Sequence, residues 1–154
     1  MAGAAFHDRP SALPDPHLLP EFYADVPLKR FGAFVVDTVV IALLSLVVVA
    51  VTAFVGLLVF PLVMLAVGFA YRVVTLARGS ATWGMRLMAI KFRTWQGKPF
   101  DPPSAALHTL GYTLCWVFPL LQLVSVVLML VTERRQGLVD LAMGSVCLNR
   151  SAPD

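Results

Sequence analysis

The residue best placed for chemistry is Asp37, the single charge in residues 31–53. In a bilayer-spanning helix a carboxylate costs on the order of +2.5–3.5 kcal/mol at the centre and less nearer the edge. Asp37 therefore demands a partner inside the protein, and two chemistries are open to it. It can bind a cation or a proton, or it can hold an ion pair or hydrogen bonds that fix helix packing. Arg30 is the first candidate partner, because it lies two turns earlier on roughly the same face. The rise between them is about 10.5 Å, so contact needs extended side chains or a bridging water. Arg86 is second, because its basic loop returns to the same membrane surface; Arg72, Arg135 and His108 are the others. Arg72 can instead snorkel outward from the last turn of its span. Asp140 follows Gly137 in an amphipathic stretch, where it can cap a helix start or pair with Arg86 or Arg93. His108 is either a proton shuttle or an interfacial donor. Gln122 and Ser125 are expected to satisfy one another or nearby backbone.

Other chemistry finds no support. There is no Ser-His-Asp set, no metal-ligand spacing and no glycine-rich phosphate loop, so no catalytic residue, metal or cofactor is expected. Cys115 and Cys147 suit neither a metal site nor a disulfide framework and read as small buried hydrophobes. The net charge of +3 fits basic membrane flanks rather than nucleic-acid binding.

The elements that must position these residues are those of an integral membrane protein. Of 154 residues, 58% are hydrophobic and 14% charged, against about 25% charged in soluble domains. Residues 31–53 and 58–76 read as two transmembrane helices, with a turn near 52–57 marked by Gly56, and with Pro61 early in the second. No cleavable leader is visible before residue 31, so the first span is expected to stay as an anchor. Residues 1–27 contain five prolines, with four acids and one base, and read as a mostly disordered tail in which Phe22 and Tyr23 could dock at the interface. Trp83, Trp95 and Trp116 are expected as interface anchors, with a deeper place open to Trp116.

The polar loop from 77 to 103 holds five bases against Asp101 alone, which assigns it to the cytoplasm. Residues 82–88 suit an interfacial helical turn. The alternation in 89–93 suits a strand, Gln96-Gly97 a turn, and 98–100 a short return, giving a small hairpin. The third hydrophobic region, 104–132, carries no charge and is broken at Pro119. It is either one kinked span or two short arms. Arg134 and Arg135 follow it directly, and a shared cytoplasmic side for all the basic segments favours the two arms. Residues 145–149 then read as a strand able to pair with 89–93.

Three separated motifs resemble one family. Arg30-Phe31-Gly32-Ala33-Phe34-Val35-Val36-Asp37 opens the first span. Thr82-Trp83-Gly84-Met85-Arg86-Leu87 runs into the 90–93 segment, and Arg134-Arg135-Gln136-Gly137-Leu138-Val139-Asp140 leads into the C-terminal strand. In order and spacing they resemble the RDD family of bacterial membrane proteins, over roughly residues 23–149. Arg30, Asp37 and Asp140 match the arginine and two aspartates that name the family, and Gly84, Arg86, Arg135 and Gly137 match supporting positions. The chain departs at Met85, where the family usually has lysine, and at Val139, where it often has histidine. The resemblance implies no agreed activity; ion- or proton-coupled transport in some relatives is its furthest implication.

The expectation is an all-α membrane protein with two full spans, a proline-broken third region and a small cytoplasmic β-hairpin or sheet. The membrane domain would run from 28 to 149, between a tail at 1–27 and another at 150–154. Its expected location is the bacterial inner membrane, with the N-terminus cytoplasmic. Its partners would be the lipid bilayer, and a second copy or other membrane proteins. The expected role is non-catalytic packing or assembly through buried Arg and Asp charges; the alternative is a small ion- or proton-coupled transporter.

Overall fold

The computed structural model describes residues 12–150. Helix α1 runs Val26–Val51, with Pro27 in its first turn, where a missing N–H costs least. Ala53 and Phe54 take left-handed backbone angles and turn the chain; a 3-10 segment, Val55–Val59, leads into α2, Phe60–Gly79. The turn falls where Gly56 placed it, and Pro61 sits in the first turn of α2. Both helices are long and apolar enough to cross a bilayer. In their most apolar windows only 22% and 11% of residues are buried within the chain. Most of their lateral surface is thus apolar and uncovered by this protein, as a lipid-facing surface must be. Polar side chains in the spans turn inward to the backbone: Thr38 donates to the Phe34 carbonyl and Ser45 to that of Ile41.

A short helix α3, Trp83–Leu87, follows α2 and is capped by Thr82, whose hydroxyl accepts from the Met85 amide. Then come strand β1, Ile90–Arg93, and the third hydrophobic region as two helices, α4 (Pro102–Val117) and α5 (Pro119–Val131). Asp101 caps α4 by accepting from the Ser104 amide. Between α4 and α5, Phe118 is extended, as the residue before a proline is pressed to be. The axes bend there by 116°, far beyond a proline kink. Helix α6, Leu138–Met143, and strand β2, Val146–Asn149, complete the chain. The α4–α5 pair begins and ends at the same end of the molecule, because β2 returns to pair with β1. The pairing is antiparallel, with Phe92 opposite Cys147. This is the two-armed arrangement.

The packed core lies at that sheet end rather than midway along the spans. Val26, Leu76, Met85, Ile90, Phe92 and Phe100 are among its members. Cys147 is also buried there, and burial pushes its thiol up to about 12.

Two expectations need correction. The 89–93 strand does not form a local hairpin with 98–100. A turn closes as expected, with the Gly97 amide on the Thr94 carbonyl, but the partner strand is β2, as the 145–149 reading allowed, and Phe100 packs into the core instead. The N-terminal tail is also ordered over its described part. Leu13 and Tyr23 are buried against Val146 and Leu148, and the Asn149 amide donates to the carbonyls of Glu21 and Ala24. Its prolines allow only a short 3-10 turn, Pro20–Phe22, but a largely irregular segment still packs when it carries apolar side chains to a sheet. The expectations for 1–11 and 151–154 lie outside the described residues.

Candidate functional site

At the sheet end, each family-motif aspartate gathers three segments, and Asp37 does so without Arg30, the partner that the spacing favoured. Asp37 is 4% exposed and accepts three hydrogen bonds. The Tyr71 hydroxyl of α2 donates to Oδ1 at 2.7 Å, the Thr82 hydroxyl to Oδ2 at 2.6 Å, and the Gly84 amide of α3 to Oδ1 at 2.9 Å. Tyr71 in turn accepts from the Trp83 amide. One carboxylate thus joins α1, α2 and α3. Gly84 is required there by space: a Cβ would collide with the Ala33 carbonyl oxygen and lie 2.9 Å from the Asp37 carboxylate.

Arg30 reaches Asp140 instead, in an ion pair through Nη1 and Oδ2. Its guanidinium also lies 5.2 Å from the Phe92 ring centroid. His108 Nε2 of α4 is 2.9 Å from Asp140 Oδ1, and the Gly137 amide donates to Oδ2 at 2.9 Å. This last bond is the reach-back of a third helical residue to the N-cap, the capping role considered for Asp140. Asp140 is 1% exposed. Burial alone would raise its pKa, but the Arg30 guanidinium, then His108, outweigh burial and hold the carboxyl below its ordinary range. Gly137 is held by crowding too, since a Cβ would lie 2.6 Å from the Ser125 hydroxyl, which accepts from the Leu138 amide.

The remaining candidates disperse. Arg86 is exposed beside Gly79, and Arg135 donates to the Leu130 carbonyl. Neither is placed on Asp37 by any hydrogen bond or ion pair among the described residues. Arg72 is half-buried, 4.7 Å above the Tyr112 ring. Ser125 serves α6 rather than Gln122. Trp116 stacks on Phe34 at 5.1 Å, and Trp83 meets the Tyr71 ring edge-on. The roles of Tyr71 and Thr82 went unread in the sequence. Thr82 stood in the second motif, and a tyrosine beside an arginine near the end of a span was the available sign of a polar contact.

Between α1, α2, α4 and α5 lies a cavity of about 380 Å³, bordered by Arg30, Asp37, Arg72, Thr82, His108, Tyr112 and Gln122 and otherwise walled by apolar side chains. Among the described residues no group of three or more His, Cys, Asp or Glu side chains is arranged to hold a metal ion.

Comparison with curated proteins and with solved structures gives no match. The model of the RDD family, a family of membrane proteins, matches residues 25–144, which include both aspartate clusters and the helices that hold them, and the chain belongs to that family.

Proposed function

We propose that the chain is a non-catalytic membrane module that packs with other membrane proteins or with a second copy of itself. In this reading it lies in the bacterial cytoplasmic membrane, with the N-terminus and the sheet end on the cytoplasmic side. The observation that carries the reading is the full commitment of both aspartates. Asp37 and Asp140 each accept three hydrogen bonds from this chain, Asp37 from α2 and the start of α3, Asp140 from α1, α4 and the cap of its own helix. A carboxylate so engaged fixes the arrangement of helices and keeps little capacity for a passing cation. The orientation rests on the basic residues of the 77–103 loop, Lys29 and Arg30, which cluster at the sheet end. The wide apolar flanks of α1, α2 and α5 offer the surface for partners as well as for lipid.

A second reading, ion- or proton-coupled transport, is favoured by one feature: the cavity touches Asp37, Arg30 and His108 together. Flux in proteoliposomes separates the two. Under the module reading, wild-type vesicles match empty vesicles for sodium- and proton-driven flux. A flux present in the wild type and lost in Asp37→Asn, with protein content equal, would replace it with transport.

A further inference from the structure

We infer that the cavity between α1, α2, α4 and α5 binds the anionic headgroup of a membrane phospholipid, reached sideways from the bilayer. This goes beyond the module reading and rests on different residues. The first ground is the hydrogen-bond balance. A guanidinium carries five N–H donors. The Arg72 side chain borders the cavity and makes no hydrogen bond or ion pair among the described residues; its guanidinium lies over the face of the Tyr112 ring. The neighbouring charges are already engaged, Arg30 by Asp140 and Asp37 by its three donors. The unmet demand inside the cavity is therefore for an acceptor. A phosphate diester supplies acceptor oxygens and a negative charge, and Arg is the side chain best shaped to hold it. Tyr112 and Gln122 border the same space and can add donors.

The second ground is where the cavity opens. Its wall on the α1 and α5 side includes Phe31, 64% exposed, and Leu130, 57% exposed, with Val126 also exposed. These residues belong to the uncovered apolar flank of the hydrophobic helices. An occupant arriving there comes from the lipid phase, with acyl chains suited to the rim and a charged head suited to Arg72. Basic pockets between transmembrane helices take anionic headgroups for the same reason. The volume, about 380 Å³, lies within the range of small-ligand sites, about 300–1,000 Å³.

Trp116 lines the cavity and makes the test direct. The full chain carrying Trp83→Phe and Trp95→Phe is reconstituted in nanodiscs of phosphatidylcholine doped with brominated phosphatidylglycerol or brominated phosphatidylcholine. Quenching of Trp116 should follow a binding curve for the anionic lipid about tenfold tighter than for the zwitterionic one, the size of one charge-assisted hydrogen bond. Arg72→Gln should abolish the preference, and Arg72→Lys should keep part of it. Equal quenching by the two lipids overturns the proposal, and so does a preference unchanged in a folded Arg72→Gln protein. Should Arg72→Gln not fold, the wild-type comparison and Arg72→Lys still decide. Inorganic phosphate added to the buffer identifies the source of the anion. Failure to displace the lipid supports the lipid phase, and full displacement overturns it in favour of a free anion. Trp116 shielded from both lipids, with cross-linked dimers, overturns the proposal in favour of a second copy over the cavity.

Discussion

Removing the Arg30 guanidinium should damage the fold through Asp140 and not through Asp37. Arg30→Ala leaves the Asp140 carboxylate, 1% exposed, with His108 and the Gly137 amide but without its guanidinium. Breaking a buried pair from one side costs about 3–5 kcal/mol, because a charge stays buried and uncompensated. Removing both charges, as Arg30→Met with Asp140→Asn, should restore part of that loss. The coupling between the two positions should be on the order of 1–3 kcal/mol, as for directly contacting residues. Arg30 makes no hydrogen bond to Asp37, whose acceptors are taken by Tyr71, Thr82 and Gly84. Arg30→Met and Asp37→Asn should therefore be additive within about 0.5 kcal/mol. Reversible unfolding in mixed detergent micelles, followed by tryptophan fluorescence, measures both cycles. Strict additivity for Arg30 with Asp140, together with coupling for Arg30 with Asp37, would refute this assignment of partners.

Further outcomes follow from the same geometry. Gly84→Ala should lower stability by at least about 1–3 kcal/mol, the range for overpacking, because the obstacle is the Ala33 carbonyl rather than a movable side chain; folded yield by gel filtration checks it. Tyr71→Phe removes one donor from Asp37 and the acceptor of the Trp83 amide, and should cost about 1–3 kcal/mol in the same unfolding assay. The Asp140 carboxyl is held below its ordinary pKa, so its ionised form contributes stability above about pH 4, and that contribution is lost as pH falls through the lower folded value. Unfolding measured between pH 7 and pH 3 should show this acid-side loss in the wild type and a smaller one in Asp140→Asn. Reporters fused after Asp154 and inserted at Gly97 should give the same cytoplasmic signal, since both segments adjoin the paired strands; opposite signals would contradict the return of the α4–α5 pair.

Much of the architecture follows from local chemistry and was legible in the chain. Charge-free runs of sufficient length specify the two spans. Pro61 and Pro119 mark where helices can begin, because each lacks an N–H and restrains the residue before it. The basic loop and Arg134-Arg135 favour a return, and the chain bends by 116° at Phe118. The triad Arg30, Asp37 and Asp140 was legible as a motif, but its pairing was not. A seven-residue spacing places Arg30 and Asp37 on one helix face and says nothing about what that face meets. The rotation of α1 against α2 and the close approach of Gly84 to Ala33 deliver neutral donors to Asp37. The packing of α6 beside α4 brings Asp140 to Arg30 across 110 residues of chain. Hydrogen bonds form over about 3 Å, and distances of that size between remote segments are decided by how whole helices pack. For the same reason only the tertiary structure decided between 98–100 and 146–149, both legible as partners of the 89–93 strand, and brought Arg72 to the border of a cavity against the Tyr112 ring.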